Sequence, residues 1–345
     1  MGVNLKDLVI KKEISIPALS GKRLVIDGNN ILYQFLSTIR QPDGTLLMDS
    51  HGSVTSHLNG LFHRTTKLMH YGIKPVFVFD GKPPELKRAE SERRAGIKEE
   101  AKKLYDAAKE SGDVDAMKKY GMRTSRLTRE MIDEAVELIS ALGLPVIRAP
   151  SEGEAQAAYL VKKGDAYAEI SQDYDCLLFG VPRMVQNLTI SERKKKKDKL
   201  AYETVKPTII ELEPNLREMG VSQDQLIALG MLVGTDYNIG GIKGIGPKKA
   251  IELVKRHGED FDALFSDVGW SGHFGYSWKE VFRLFKEMPV EADYRLKWSD
   301  VDYNGVSQLL CEKHDFSSMR VNETLDKLKK AQSENSQKGL GDFFG

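Results

Sequence analysis

Residues 75–81 read PVFVFDG, and residues 23–28 read RLVIDG. Each is a short, unbroken apolar run ending in Asp-Gly. That is the pattern of a strand buried on both faces of a parallel sheet and followed by a turn. Leu144–Ile147 and Tyr167–Ser171 read as two further buried strands. Helical stripes lie between them. Val54–Tyr71 puts Leu58, Leu61, Phe62, Thr65, Leu68 and Met69 on one face and stops at Gly72, and Arg129–Leu142 repeats the pattern up to Gly143. The alternation predicts an α/β fold: a central, mostly parallel sheet with helices on both faces.

The chain has 345 residues, 41% hydrophobic and 29% charged, which suits one large or two modest globular domains. MGVNLKDLV lacks the basic and apolar regions of a secretion signal, and Lys6 stands where myristoylation wants Ser or Thr. No apolar run approaches the roughly 18 residues of a membrane span. Cys176 and Cys311 have neither metal nor disulfide spacing, so the sequence predicts an intracellular, reduced protein with no membrane partner. Net charge is +1, but the charges are segregated: residues 85–129 hold 13 Lys/Arg against 9 Asp/Glu, residues 192–199 hold 6 against 2, and residues 243–256 hold five against Glu252 alone. Basic patches on a near-neutral chain require acids gathered elsewhere.

Asp27 and Asp80 each follow a buried strand, at the carboxyl end where open α/β sheets bind ligands. Either one alone reads as a turn; two together point to a shared site. Asp173 and Asp175, in SQDYDCLLFG, fall on one face if the chain there is extended, and otherwise form a hydrated loop. Glu152 and Glu154, in APSEGEAQAAYL, compete with a capping box from Ser151 to Glu154, which leaves Glu152 unexplained. Asp236, in LVGTDYN, precedes a Gly-rich turn. Carboxylates sharing a pocket need a compensating charge, and hard divalent cations with oxygen ligands supply it; the lack of a Cys/His cluster argues against zinc. Two such ions would activate a hydroxide and stabilise the departing oxygen of a phosphodiester.

GGIKGIGPKKAIELVK predicts a helix–hairpin–helix: a helix over Gln223–Val233, a turn with Gly244 and Gly246, and a second helix opened by Pro247. The glycines let backbone approach a phosphate, and Lys248 and Lys249 add charge there, so this element grips duplex DNA without reading bases. Residues 85–127 are too charged for a core helix pair and read as a projecting insertion. Arg193–Lys199 reads as a solvated loop. From residue 331 a polar linker, AQSENSQK, gives way to the apolar end GLGDFFG.

In order and spacing, VFDGKPPELK, APSEGEAQAAYL, SQDYDCLLFG, LVGTDYN and GIKGIGPKKA resemble the blocks of the flap endonucleases, within the structure-specific 5′ nucleases, over essentially the whole chain. The resemblance implies a PIN-like 5′ nuclease fold. It assigns residues 1–98 to an N-terminal nuclease region and 85–127 to a helical arch that threads the flap. Residues 116–258 become an internal nuclease region with the helix–hairpin–helix at 223–257, followed by a C-terminal helical part, 259–330, and a flexible tail, 331–345. It implies that Asp27, Asp80, Glu152, Glu154, Asp173, Asp175 and Asp236 hold two Mg²⁺, with Mn²⁺ able to substitute, and that Lys87 and Arg94 grip the scissile phosphate. Gly2, Tyr33, Arg40, Arg64, Glu152, Gly234 and Asp236 match DNA-contacting positions, Tyr33 by stacking on a base. Gln337, Leu340, Phe343 and Phe344 resemble the peptide by which replication proteins dock on a sliding clamp.

The implied activity is 5′ flap endonuclease with 5′→3′ exonuclease activity, on branched duplex DNA, in Okazaki-fragment maturation and long-patch base excision repair. The implied protein is a monomer. The chain stops one residue after the clamp peptide, which suits an archaeal, cytoplasmic protein; a eukaryotic one would be nuclear. The rival readings are a related 5′→3′ exonuclease or junction resolvase, and a clamp-tethered DNA-binding adaptor without catalysis. The adaptor has no use for acids that repel phosphate.

Overall fold

The computed structural model describes residues 2–188 and 205–334 in full, and the backbone of 193–195, 202–204 and 335–341. Its strands are β1 (Lys12–Glu13), β2 (Arg23–Asp27), β3 (Lys74–Phe79), β4 (Val146–Arg148), β5 (Ala168–Ile170), β6 (Arg183–Gln186), β7 (Arg193–Lys195), β8 (Tyr202–Thr204) and β9 (Thr208–Glu211). The chain forms two compact units, each assembled from three separate stretches of sequence. The contiguous blocks expected from the sequence therefore do not coincide with the packing units.

One unit comprises residues 1–16, 80–91 and 148–292. Its strands run in the order β1-β9-β6-β5. β5 and β6 are parallel, with Ile170 opposite Val185, whereas β6–β9 and β1–β9 are antiparallel. The α/β class is borne out, but this half is mixed rather than mostly parallel. Ala157, Leu160, Leu177, Met184, Val185, Ile210, Leu226, Leu229 and Val254 form its core. The helices Gln223–Val233 and Pro247–His257 appear as expected, the first opened by a Ser222–Gln225 capping box and the second by Pro247. Part of the basic run at 193–199, expected as a loop, is a strand: β7 pairs antiparallel with β8, Arg193 opposite Thr204. Successive lysines give no signal for strand, so this was hidden from pattern reading.

The other unit comprises residues 17–79, 92–147 and 293–345. β2 and β3 are parallel, Arg23 opposite Lys74 through Asp27 opposite Val78. Leu24, Val25, Ile26, Val76, Phe77 and Phe79 are almost completely buried, as continuous apolar runs require. The helices Gly28–Thr38, Ser56–His70 and Arg129–Ala141 bury Leu32, Leu36, Leu58, Leu61, Phe62, Leu138 and Ile139. The charged insertion is helical, over Arg88–Ser111 and Val114–Gly121, and within this unit it still buries Ala101, Ala108 and Met117.

A polar cluster also sits in this unit. His314 lies between Asp49 (Nδ1 to Oδ2, 2.8 Å) and Glu134 (Nε2 to Oε1, 3.1 Å), and Glu134 also meets Lys313 at 2.9 Å and His57 at 3.5 Å. The expected linker from residue 331 instead continues the helix Ser318–Gly341, with Ala331 buried. The side chains of Gln337, Leu340, Phe343 and Phe344 fall outside the described residues.

Candidate active site

Asp80 follows β3 directly, and its Oδ1 accepts a hydrogen bond from the amide of Gly153, the first residue of the helix Gly153–Lys162 (2.7 Å). Asp80 therefore caps that helix from a distance in sequence. The capping box expected from Ser151 to Glu154 does not form: Glu152 occupies the N-cap, and the Ser151 hydroxyl donates to the Lys82 carbonyl (3.0 Å). Glu152 is thus left facing the site rather than the helix end. Burial pushes its carboxyl up, as do Asp80 and Asp236, while the ion-paired Lys87 pulls it down. Asp80 is pushed the same way by protein packed around its carboxyl, although the residue keeps an exposed surface, and the Gly153 amide and Lys87 oppose the shift.

Asp173 and Asp175 do not lie on an extended strand. Asp173 sits in a turn whose amide donates to Ser171 Oγ (3.1 Å), and Asp175 opens the short helix Asp175–Leu178. The chain start pins both: the Val3 amide donates to Asp175 Oδ1 (2.8 Å) and the Gly2 amide to Asp173 Oδ1 (3.4 Å). A Cβ on Gly2 would stand 2.5 Å from Asp175 Oδ2, so only glycine allows this approach. Burial pushes the Asp175 carboxyl up to about 7, the Val3 amide opposes this, and Asp236 and Asp173 add to it.

Asp236 lies on the loop after the helix Gln223–Val233. Gly234 turns that loop with φ +112°, and a Cβ there would meet the Gly241 amide nitrogen at 2.6 Å. Thr235 donates to Asn238 (2.7 Å), Asn238 to the Met231 carbonyl (2.6 Å), and the Tyr276 hydroxyl to the Tyr237 carbonyl (2.7 Å), so Asp236 rides on a fully tied loop. Lys87 pairs with Glu152 and stands 3.8 Å from Asp236. Burial pulls this amine down, but Glu152, Glu154 and Asp236 outweigh burial and leave it above the ordinary lysine value. It stays a cation.

Asp80, Glu152, Glu154, Asp173, Asp175 and Asp236 therefore belong to one electrostatic neighbourhood in a single unit, with Lys87 among them. Asp27 lies in the other unit, 7% exposed at the end of β2, where its Oδ1 caps the helix Gly28–Thr38 through the Asn30 amide (2.9 Å). Among the described residues no three such side chains are drawn together as a formed metal cage. The donor chemistry nevertheless fits hard divalent cations: all oxygen, mutually repelling, and with Asp27, Glu152 and Asp175 buried. An ion such as Mg²⁺ keeps several waters, so acids need not all touch it.

The expected DNA contacts differ in character. Tyr33 is 38% exposed, with Lys98 Nζ 4.5 Å from its ring centre, so it is not a core aromatic. Arg40 is internally committed: its guanidinium donates to the Leu36 carbonyl (3.0 Å), the Gly44 carbonyl (2.8 Å) and Ser125 Oγ (2.8 Å). Arg64 is half-buried on the helix Ser56–His70, and Arg94 lies on the helix Arg88–Ser111. Gly244 and Gly246 have open space where a Cβ would be, and Lys248 and Lys249 are exposed beside them, so the hairpin presents bare backbone and charge outward.

Residues 1–101 match the family model of the XPG N-terminal domain, and residues 143–236 that of the XPG I-region. Flap endonuclease 1 of Thermococcus onnurineus is 50% identical over 345 residues, spanning all of this chain and 99% of the relative. The chain belongs to the flap endonuclease family. Among solved structures, flap endonuclease-1 from Methanococcus jannaschii matches at 38% identity and a TM-score of 0.75, covering 97% of this chain and 100% of that one. The catalytic core of Rad2 in complex with DNA substrate matches at 24% identity and a TM-score of 0.70, covering 95% and 100%, and shows the shared fold.

Within this family member, residues that pattern reading did not single out stand close to the acids. Tyr237 is 4% exposed, and burial, then Glu152, Glu154, Asp175 and Asp236, hold its phenol well above the usual range. Gln186 is a buried polar residue at the end of β6. A lone Gln after an apolar pair carries no periodic signal, and only its partners reveal it.

Proposed function

We propose that the chain is a structure-specific 5′ flap endonuclease, with 5′→3′ exonuclease activity, that hydrolyses a phosphodiester at the flap/duplex junction. One observation carries this reading: six carboxylates share one electrostatic neighbourhood, Glu152 and Asp175 buried within it, with Lys87 held protonated among them. Such a set is costly without cations and repels DNA without them. Asp80, Glu152, Glu154, Asp173, Asp175 and Asp236, with Asp27, would hold two Mg²⁺ or Mn²⁺. Bound there, the ions supply activation of the attacking water and charge stabilisation at the departing oxygen.

The remaining work falls to the chain's own residues. Lys87, kept charged by its acidic neighbours, and Arg94 bind the scissile phosphate and offset the charge that grows in the transition state. Lys87 exchanges Glu152 for phosphate as the substrate arrives. Tyr33 stacks on a base near the cut, with Arg40 and Arg64 beside the duplex. The Gly244–Lys249 hairpin holds the duplex backbone without reading sequence. The helices Arg88–Ser111 and Val114–Gly121 form the arch through which the single-stranded 5′ flap passes, their charge steering it.

Gln337, Leu340, Phe343 and Phe344 dock on a sliding clamp, so the enzyme serves Okazaki-fragment maturation and long-patch base excision repair. It acts as a monomer in the cytoplasm of an archaeal cell; no helix among the described residues is long and apolar enough to cross a membrane. Cleavage of a 5′ flap, a nick and a four-way junction under one set of conditions tests the reading. Flap cleavage should dominate by at least tenfold. Equal or faster junction cutting would assign the chain to the resolvase branch instead.

A further inference from the structure

The turn that carries Asp173 and Asp175 has a support outside the acidic set. Gln186, 4% exposed at the end of β6, donates from Nε2 to the Gln172 carbonyl (3.2 Å). Its Oε1 accepts from Lys11 Nζ (2.7 Å), and the same ammonium donates to the Tyr174 hydroxyl (2.5 Å) while standing 5.0 Å from the Tyr174 ring centre. The residues on either side of Asp173 are therefore tied to one pair of side chains. Lys11 is itself aimed. Asn215, 4% exposed, accepts from the Ile10 amide (2.7 Å) and donates to the Ile10 carbonyl (3.2 Å). Lys12, next after Lys11, opens β1, whose partner β9 pairs in turn with β6: Glu13 and Gln186 both face Thr208.

We propose that Lys11 and Gln186 are positioning residues for cleavage: together they hold the Gln172–Asp175 turn so that Asp173 and Asp175 are set for the metal. The turn needs such a hold. Its two carboxylates repel each other and Asp236, and Asp175 is almost fully buried, so without restraint the segment relaxes by moving the acids apart or outward. Lys11 answers this through Gln186 and Tyr174, one residue removed from the carboxylates. Groups that orient a ligand in this way typically change metal affinity by about 10- to 100-fold when removed. A lysine that merely met passing DNA phosphate would have no use for a buried glutamine partner.

This inference rests on the acids being metal ligands, so its test has two arms. In EDTA, amide hydrogen exchange across residues 171–178 reads the turn directly. Lys11→Met and Gln186→Met should each speed exchange there several-fold, the double variant no more than either single one, and Lys11→Arg should restore protection. Calorimetric titration of the metal-free protein with Mg²⁺, without DNA, reads the consequence: affinity should fall at least threefold in both Met variants. In cleavage assays the loss should appear in kcat, with KM for the flap unchanged. Unchanged exchange in well-folded Met variants overturns the proposal. So does unchanged Mg²⁺ affinity with a raised KM, which would make Lys11 a phosphate contact. Faster exchange in the Met variants of a protein whose wild type binds no Mg²⁺ would keep the hold on the turn and sink the metal reading instead.

Discussion

Replacing Asp175 with Asn should make the metal-free protein more stable while destroying its activity. The Asp175 carboxyl is buried and pushed from 3.8 up to about 7, so ionising it in the folded chain is costly. The cost is absent below the unfolded value, about 4, grows as pH rises toward about 7, and is complete above that. At about 1.4 kcal/mol per unit, the shift sets a ceiling of about 4 kcal/mol, and relaxation of the loop reduces it to about 1–3 kcal/mol. Asn keeps an oxygen for the Val3 amide and removes the charge. Melting in EDTA should therefore rise by about 2–12 °C at pH 8, given about 2–4 °C per kcal/mol for large domains, and by almost nothing near pH 4. Added Mg²⁺ should narrow or reverse the gap, because wild type gains binding energy that the variant lacks. An Asp175→Asn protein that melts at or below wild type at pH 8 in EDTA would refute the reasoning.

Other expectations follow from single interactions. Lys87→Met should lower single-turnover cleavage by at least 100-fold, since electrostatic groups of this kind contribute about 3 kcal/mol, while flap binding measured by anisotropy changes little. Glu134 is held down at about 2 by His57 first, then Lys313 and His314. A depressed carboxyl stabilises above its unfolded value, about 4.3, and that gain fades as pH falls toward 2, so Glu134→Gln should cost about 1–2 kcal/mol at pH 7 by urea denaturation and almost nothing at pH 2. Arg40→Ala should lower stability by about 1–3 kcal/mol through three lost hydrogen bonds, a loss that a purely DNA-contacting arginine would not produce. Deleting residues 337–345 should leave basal cleavage intact and abolish stimulation by the clamp; loss of basal cleavage would contradict a docking role.

Much of the site was legible because strand ends and apolar runs announce themselves. β2 and β3 read directly from RLVID and PVFVF, since strands buried on both faces need no alternation. The antiparallel β6 and β9, RMVQ and TIIE, did not: four residues of mixed polarity match no period. Ser151 looked like a helix cap because capping signals are local, whereas the actual cap, Asp80, arrives from 73 residues away. AQSENSQK looked like a linker because it is polar, yet it has neither proline nor glycine to stop the helix behind it. Tyr33 sat among apolar neighbours and emerged exposed, while Arg40 had the charge of a DNA contact and turned inward. Support from Lys11 and Gln186 needed the fold itself, because sheet pairing brings residues 11 and 186 to the same turn.

The central claim, that the clustered acids work by holding metal for flap cleavage, is tested most directly by one comparison. Single-turnover cleavage of an end-labelled 5′ flap should be measured across a Mg²⁺ titration for wild type and Asp175→Ala. Wild type should cut near the flap/duplex junction only with metal. The variant, folded and still binding the flap, should be slower by at least 1000-fold at every Mg²⁺ concentration. Cleavage by wild type in EDTA, or a variant that cuts as fast as wild type, would contradict the account.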